Sequence, residues 1–302
     1  MAFSFRFNAA VISLLFASCA TVLAADTNPP FLPPLTDPPT NTHIRGKFVW
    51  ADMFASDVET ARGFYQDLFG WDWQWVTQEP VPYGMFYRNE LAVGGLVHRE
   101  AQVVGNPYGR WVHYISADDI AGIEAEVVKR GGRALLSTRQ GPARGEYAIM
   151  ADPEGAIIGA INSSSGDPDD FRAEYGEWIW VQLYARDAVK AANFYATLFG
   201  YNIQEYDDNP EIVDWVLAVE GYSRASVGEL EKDSEYQPTW LGFVRVEDMD
   251  ATLKKTASLG GKVVFAPRPG VADGDLAVIV DPLGTPVGLL RWDFPEEEEE
   301  QQ

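Results

Sequence analysis

The sequence has few of the side chains that bind transition metals or form disulfides. Its 302 residues include one cysteine, Cys19, and three histidines, His43, His98 and His113. A single cysteine excludes an intrachain disulfide. His43 lies in the proline-rich segment and His98 beyond a predicted strand, which leaves the imidazole of His113. One imidazole does not make a metal site, because such sites ordinarily need three protein ligands. We therefore expect neither a disulfide framework nor a histidine-rich metal centre.

Basic residues are also scarce. Lys and Arg number 23 against 45 Asp and Glu, which gives a formal net charge of −22. Such a field repels phosphate backbones, and no basic stripe offers a footprint for nucleic acid. Residues 294–302 contain a run of glutamates and are expected to form a solvated, disordered acidic tail. We therefore expect no nucleic-acid partner.

The apolar run near the N-terminus, Ala9 to Ala17, is short for a membrane span. It follows Arg6 and precedes small residues, which is typical of a secretory signal. Phe16-Ala17-Ser18-Cys19 resembles a lipobox, so that residues 1–18 would be removed and Cys19 lipidated. The alternative is cleavage after Ala24 or Ala25, giving a soluble periplasmic or secreted protein. We favour a lipid anchor in the cell envelope as the only membrane contact.

Residues 19–45 are rich in proline, with six prolines between Pro29 and Pro39. Such a segment is extended and semi-rigid, rising about 3.1 Å per residue where it adopts polyproline II. The composition therefore predicts a spacer that would lift a folded domain away from a membrane.

The rest of the chain is internally duplicated. "GFYQDLFGW" at 63–71 returns as "NFYATLFGY" at 193–201, an offset of 130, and "ADPEGAIIGAI" returns as "VDPLGTPVGLL" at an offset of 129. A register held over this distance indicates a repeat. We place the copies at 46–165 and 176–293, joined by a linker at 166–175.

Each copy predicts a strand, a helix and three strands, taken twice. "KFVWADMFA" alternates as a strand, and Ser56 with Glu59 indicates a capping box before a helix that ends at Gly70. The same order starts again at "RWVHYISA". Four βαβββ units, and hence an α+β fold, account for the two copies. In each copy the Asp of D-P-x-G is interpreted as a turn residue.

This plan and the motifs F-Y-x-x-L-F-G, G-G and D-P-x-G resemble the vicinal oxygen chelate superfamily of glyoxalases, bleomycin-resistance proteins and extradiol dioxygenases. The resemblance covers nearly all of the chain after the proline-rich segment. It implies that two βαβββ units pair into a domain whose curved sheet encloses a cup. The chain would then have two glyoxalase-like domains and two cups.

The resemblance also implies where a divalent metal would be held, and the residues there are unsuitable ligands. An indole nitrogen has no lone pair to donate, and glycine has no side chain. We therefore expect no metal and no other cofactor, unless His113 is turned into the cup by a shift of register. The mapped positions fall on Trp50, Val112, Gly159 and Gly94-Gly95 in the first copy, and on Trp180, Leu241, Gly288 and Ala225-Ser226 in the second.

Alternation along the first strand of each copy predicts which side chains face the cup. A tryptophan there offers a large contact surface, and Asp52 or Gln182 offers a polar group that can orient a ligand. Packing as core plugs is the competing interpretation of the tryptophans. Asp52 and His113 are the candidates for a catalytic role. The predicted ligand-binding residues are Trp50, Asp52, Phe54, Trp180, Gln182 and Tyr184.

Three functions compatible with these residues remain open, and the first two are the main ones. The first is an exported binding module whose metal-free cups hold a small hydrophobic or aromatic molecule. The second is a lyase or dioxygenase with a divalent metal held by other ligands, and a protein-binding surface is a third. The sequence fixes neither the ligand nor the oligomeric state.

The lipid anchor is testable at Cys19. We expect the wild-type protein to fractionate with membranes and the Cys19→Ser variant to be released, because acyl chains provide the attachment. Mass spectrometry of the mature N-terminus checks this directly. A soluble wild-type product that starts near Ala25 or Asp26 would contradict the expectation.

Overall fold

The computed structural model describes residues 32–78, 81–100, 108–206, 214–232, 234–269 and 271–294. The expectations for Cys19, for signal cleavage and for the tail beyond residue 294 lie outside these residues. Among the described helices, none is long and apolar enough to cross a membrane.

The first domain is one eight-stranded mixed sheet in the order β2-β3-β4-β1-β5-β8-β7-β6. At its centre β1 pairs in parallel with β4 and antiparallel with β5. Two helices, α1 (Val58–Phe69) and α2 (Ile120–Lys129), follow β1 and β5. The strands are β1 (Phe48–Ala55), β2 (Asp72–Thr77), β3 (Tyr83–Arg88), β4 (Leu91–His98), β5 (Gly109–Ser116), β6 (Arg133–Gly141), β7 (Gly145–Ala151) and β8 (Ile157–Ser163).

The second domain repeats this plan in a second eight-stranded sheet, in the order β10-β11-β12-β9-β13-β16-β15-β14. Helices α3 (Ala188–Phe199) and α4 (Met249–Ser258) follow β9 and β13. The predicted α+β fold of four βαβββ units is thereby confirmed. The strands are β9 (Trp178–Ala185), β10 (Asn202–Tyr206), β11 (Asp214–Val219), β12 (Tyr222–Glu229), β13 (Thr239–Arg245), β14 (Lys262–Phe265), β15 (Leu276–Val280) and β16 (Pro286–Leu290).

The first helix of each domain begins at an aspartate. Asp57 is the N-cap of α1 and Asp187 that of α3, and each side chain accepts a hydrogen bond from the first turn. The prediction of Ser56 as the cap was wrong by one residue, because the Ser56 hydroxyl accepts a backbone N–H from outside the helix. Gly70 and Gly200 end the two helices with φ of 70° and 78°, a backbone that favours glycine.

The helix-bearing faces of the two sheets pack against each other. One apolar cluster combines α1 and β1 with residues of β13, β15, β16 and α4, and another combines α2 and β8 with residues of α3, β9 and β12. Both clusters therefore contain side chains of both domains. The opposite faces carry two further clusters, each made mainly by its own domain. We call them the concave faces, because the family resemblance implies that each sheet curves around a cup on this side.

Two equivalent chains of hydrogen bonds cross the domain interface. Trp111 Nε1 donates to Tyr65 Oη over 3.0 Å, and Tyr65 Oη donates to Asp281 Oδ2 of the second domain over 3.1 Å. All three side chains are buried, so these partners satisfy groups that water does not reach. The second chain runs from Trp240 through Tyr195 to Asp152, over 2.9 and 3.0 Å.

The two interface aspartates also shape turns, as the D-P-x-G motif predicted. Asp281 Oδ1 accepts the backbone N–H groups of Leu283 and Thr285, each over 2.8 Å. Asp152 does the same in its own turn. Burial raises the pKa of both carboxyls to about 6, because the charged form loses its hydration.

Part of the proline-rich segment packs on the first domain instead of standing free as a spacer. Thr36 donates its backbone N–H and its hydroxyl to Ser165, each over 3.0 Å, and Asn41 donates its backbone N–H to the same residue over 3.1 Å. Leu32 and Leu35 are buried, with 6% and 8% exposure. Composition predicted an extended chain, and it could not indicate that the two leucines have an apolar surface to cover.

The buried aspartates predict a pH dependence of stability. A carboxyl with a pKa of about 6 in the folded chain and about 3.9 when unfolded stabilises the fold below pH ~4. That contribution is lost as the pH rises through about 6. We expect the unfolding free energy of wild type, minus that of Asp281→Asn, to fall over this range by on the order of 1 to 3 kcal/mol.

Urea unfolding of both proteins at a series of pH values measures this difference. Burial lowers the pKa of His113 to about 4, which gives a contribution of opposite sign, but it is present in both proteins and cancels. Asp152→Asn is expected to show the same trend. A difference that rises with pH would show that the buried carboxylate is favoured in its charged form.

Candidate functional site

The concave face of the first domain presents the side chains that alternation along β1 predicted. Trp50 lies in the concave cluster, with Phe54 packed against it, whereas Ala51 and Met53 belong to the interface cluster. Asp52 pairs with Val112 across the sheet, which fixes the register at this point. The three predicted residues of this strand are thus together on one face.

A buried polar network joins these residues. Asp52 Oδ1 accepts the indole N–H of Trp50 over 2.8 Å and the hydroxyl of Tyr83 over 2.9 Å. Arg144 Nη2 in turn donates to Tyr83 Oη over 3.1 Å. Burial is the main cause that raises the pKa of Tyr83, so the phenol is neutral and can donate to Asp52. Asp52 therefore has partners that hold it in place.

Arg144 is a basic residue of this face. Its side chain is only 2% exposed, and its guanidinium lies 4.5 Å from the centre of the Trp50 ring. Its Nε donates to the carbonyl oxygen of Pro33 over 2.5 Å. A buried cation needs such partners, because the loss of hydration would otherwise cost several kcal/mol.

The N-terminal segment covers this face. Leu32 and Leu35 lie in the same apolar cluster as Trp50, Tyr83 and Tyr147. Trp50 is consequently only 8% exposed. The concave face of the first domain is therefore filled by the protein's own side chains.

The concave face of the second domain has the same framework and different polar groups. Trp180 Nε1 donates to Ser226 Oγ over 2.9 Å, and the Trp180 side chain is half-buried. Gln182 and Tyr184 continue the face and are buried. The apolar residues around them are Leu230, Leu241, Phe243, Phe265, Val271, Leu276, Val278 and Leu290, with Trp292 packed against them.

Neither Asp52 nor Arg144 has a counterpart of the same charge in the second domain. Gln182 stands at the position of Asp52, since each pairs across the sheet with the corresponding residue of the next strand, Leu241 or Val112. At the repeat offset of Arg144 the second copy has Asp273, which is exposed in a short 3-10 turn. At the position of Asp52 the second face therefore carries a neutral amide, and a cation, Arg268, lies 4.7 Å from the centre of the Phe265 ring of the same cluster.

His113 is not part of either concave face. It pairs with Ala51 and points to the domain interface, where its ring meets Trp178 edge-on at 5.3 Å between centroids. Its Nε2 has no hydrogen-bond partner among the described residues, and burial lowers its pKa to about 4. The structure thus separates His113 from Asp52, and no shift of register turns it into the cup.

The residues of the concave faces do not fit a divalent metal. A Cβ built on Gly159 would lie 2.2 Å from the ring of Tyr114, and one on Gly288 would lie 2.2 Å from the ring of Phe243. Aromatic rings therefore fill the space into which a ligand side chain would project. Within the described ranges, no group of three or more His, Cys, Asp or Glu residues is placed to hold a metal ion.

A surface depression of about 490 Å³ lies elsewhere, beside α1 and β2. None of its lining residues is among the predicted site residues. It is lined by Gln66, Asp72, Trp73, Gln74, Tyr87 and Glu90.

Three residues of the concave faces escaped prediction from the sequence: Tyr83, Arg144 and Ser226. Only Ser226 had a signal, because the Ala225-Ser226 pair occupies one of the mapped ligand positions. Gly95, its counterpart, marks a close approach, since a Cβ there would lie 2.1 Å from Asp52 Oδ1 and 2.2 Å from Tyr83 Oη. Tyr83 and Arg144 lie outside the motifs that the two copies share.

Known proteins resemble this chain in sequence. Residues 47–159 match the family model described as the Glyoxalase/Bleomycin resistance protein/Dioxygenase superfamily. "Putative glyoxylase CFP32" of Mycobacterium tuberculosis is 26% identical over 84% of this chain and 98% of its own length. "Anthracycline biosynthesis protein DnrV" of Streptomyces peucetius is 26% identical over 83% of this chain and 95% of its own length.

Solved structures share the fold at lower identity. The Mn(II)-bound glyoxalase from Novosphingobium aromaticivorans superposes with a TM-score of 0.55 at 15% identity, covering 82% of each chain. The 2,2',3-trihydroxybiphenyl 1,2-dioxygenase from Sphingomonas wittichii gives a TM-score of 0.53 at 14% identity, covering 82% of this chain and 91% of that one. These likenesses concern the fold alone.

The tight packing at Gly159 can be tested against a matched substitution. We expect Gly159→Ala to lower the unfolding free energy by about 1 to 3 kcal/mol, because the methyl group would overlap the Tyr114 ring. Gly63→Ala in α1 has no atom within 4 Å of the new Cβ. It should instead raise stability by about 0.5 to 1 kcal/mol. Denaturant unfolding measures both. Equal effects would show that the Tyr114 ring moves aside freely.

Proposed function

Because this chain belongs to the superfamily of glyoxalases, bleomycin-resistance proteins and dioxygenases, we propose that it binds a small hydrophobic or aromatic molecule without a metal. The second domain's concave face is the proposed site. The observation that carries the proposal is the contrast between the two tryptophans. Trp180 is half-buried and anchored to Ser226 over 2.9 Å, whereas Trp50 is covered by Arg144 and the N-terminal leucines.

The side chains of this face suit a planar, neutral ligand. Trp180 offers an aromatic surface, and its bond to Ser226 fixes the ring before a ligand arrives, which reduces the entropy lost on binding. Gln182 and Tyr184 are neutral polar residues on the same strand, buried to 0% and 2% exposure, and we expect them to form the floor of the site. An ionised ligand would find no charge at the position that corresponds to Asp52, because Gln182 stands there.

The proposed role is sequestration or presentation of this molecule outside the cytoplasm. A lipid anchor at Cys19 would place the protein in the cell envelope, and this location is part of the proposal. The name of the Streptomyces peucetius relative refers to anthracycline biosynthesis, so an anthracycline is our first aromatic probe.

A metal-dependent lyase or dioxygenase is the alternative function. The rings of Tyr114 and Phe243 beside Gly159 and Gly288 argue against the ligand geometry that such an enzyme uses. Stoichiometric, tightly bound iron, nickel, manganese or zinc in the purified protein, with turnover lost on chelation, would support the enzyme and overturn our proposal.

Tryptophan fluorescence tests the proposed site. We expect an aromatic probe to quench the emission, and Trp180→Ala to weaken binding by about 1 to 3 kcal/mol, because ring contact and apolar burial are lost. Treatment with a chelator should leave the affinity unchanged. Trp75→Ala, which removes a tryptophan that is 37% exposed on the first domain, is the control and should bind normally. Equal affinity in Trp180→Ala and wild type would contradict the proposed site.

A further inference from the structure

We infer that residues 32–35 occupy the concave face of the first domain as an intramolecular ligand, and that this face is a second binding site of different chemistry. The inference concerns a charged face that is closed in the folded chain. It does not depend on the proposed function, which rests on the second domain.

Side-chain burial holds residues 32–35 on this face. Leu32 and Leu35 are buried against Trp50 and its neighbours, yet residues 32–35 belong to no strand or helix. The segment therefore contacts this face through its side chains, as a bound molecule would, and does not add a strand to the sheet. Burial of the two leucines removes apolar surface from water and so favours the closed arrangement.

The segment also makes a polar contact at its centre, with Arg144. Arg144 Nε donates to the Pro33 carbonyl over 2.5 Å, while Nη2 donates to Tyr83. A guanidinium recognises the oxygens of carboxylates and similar anions with the same donors. The peptide carbonyl therefore takes the place that an oxygen of an external ligand would take.

The segment has a separate attachment outside the cup. Thr36 and Thr40 bond to Ser165 and to the backbone of Asp167 beyond the last strand of the first domain. The two leucines could leave the cup while this attachment holds the chain nearby. Their local concentration would then be about millimolar, which favours closure over binding of a weak external ligand.

These contacts define the class of ligand that the opened face would take. It has an aromatic ring, Trp50, beneath a cation, Arg144, and an apolar wall of Val49, Val112 and Tyr114. Asp52 is engaged by two donors and points its Oδ1 at Tyr83 and Trp50. An aromatic or apolar molecule with one anionic group, such as a sulfonate or carboxylate, matches this arrangement.

The test opens the face in the full chain. In the double variant Leu32→Gln, Leu35→Gln, which removes the apolar side chains without adding charge, the anionic dye 1-anilinonaphthalene-8-sulfonate should bind one more equivalent than in wild type. A synthetic peptide of residues 29–40 should compete with the dye for that additional site. The peptide should bind the wild type at least 100-fold more weakly than it binds the double variant. Adding Trp50→Ala to the double variant should remove the extra site, and adding Trp180→Ala should not.

Two controls make the result decisive. Thr36→Ala weakens the outer attachment but keeps the leucines, so it should not gain a dye site. If circular dichroism shows that the double variant is unfolded, Leu35→Ala is used in its place with the same expectations. A folded variant that gains no dye site, or a gained site that the peptide does not displace, would overturn the inference. An extra site that is lost with Trp180 instead of Trp50 would do the same, without affecting the proposed function.

Discussion

The two tyrosine to aspartate hydrogen bonds across the domain interface determine which faces of the sheets pack together and which lie outside. Tyr65 and Tyr195 are buried, and each needs an acceptor that its own domain does not supply. The acceptors are turn aspartates of the other domain, so both bonds form only when the helix-bearing faces meet. The concave faces are thereby left on the outside of the pair. An unsatisfied buried hydroxyl would cost about 1 to 3 kcal/mol, which makes this arrangement specific as well as stable.

One framework carries two different chemistries. In both domains a tryptophan on the first strand donates its indole N–H to a polar partner on the concave side, Asp52 in one and Ser226 in the other. The first face holds a carboxylate and a guanidinium and is covered by the N-terminal segment. The second face has Gln182 in place of the carboxylate, and its tryptophan is half-buried. The two copies therefore share their packing and differ in charge and access.

The sequence predicted what the two copies share, and it could not predict what distinguishes them. The duplication located the strands, the helices and the alternation that sets Trp50, Asp52 and Phe54 on one face. Arg144 lies in a turn where the other copy has Asp273, so comparison of the copies gave no signal for it. The leucines of the N-terminal segment lie among prolines, whose composition is typical of a spacer. Their burial depends on a surface assembled from strands that are distant in sequence. The second role of Asp281 was likewise hidden, because a turn residue looks the same whether or not a tyrosine from another domain reaches it.

The two tyrosine to aspartate hydrogen bonds also become possible at different stages of synthesis. Tyr65 and Asp281 are 216 positions apart, whereas Tyr195 and Asp152 are 43 apart. During synthesis the first of these contacts cannot form until almost the whole polypeptide has emerged. Until then Tyr65 lacks its acceptor and α1 lacks the residues of β15 and β16 that pack against it in the folded chain. The surroundings of α1 are therefore completed late, and a chain that stops before residue 281 lacks the acceptor of Tyr65.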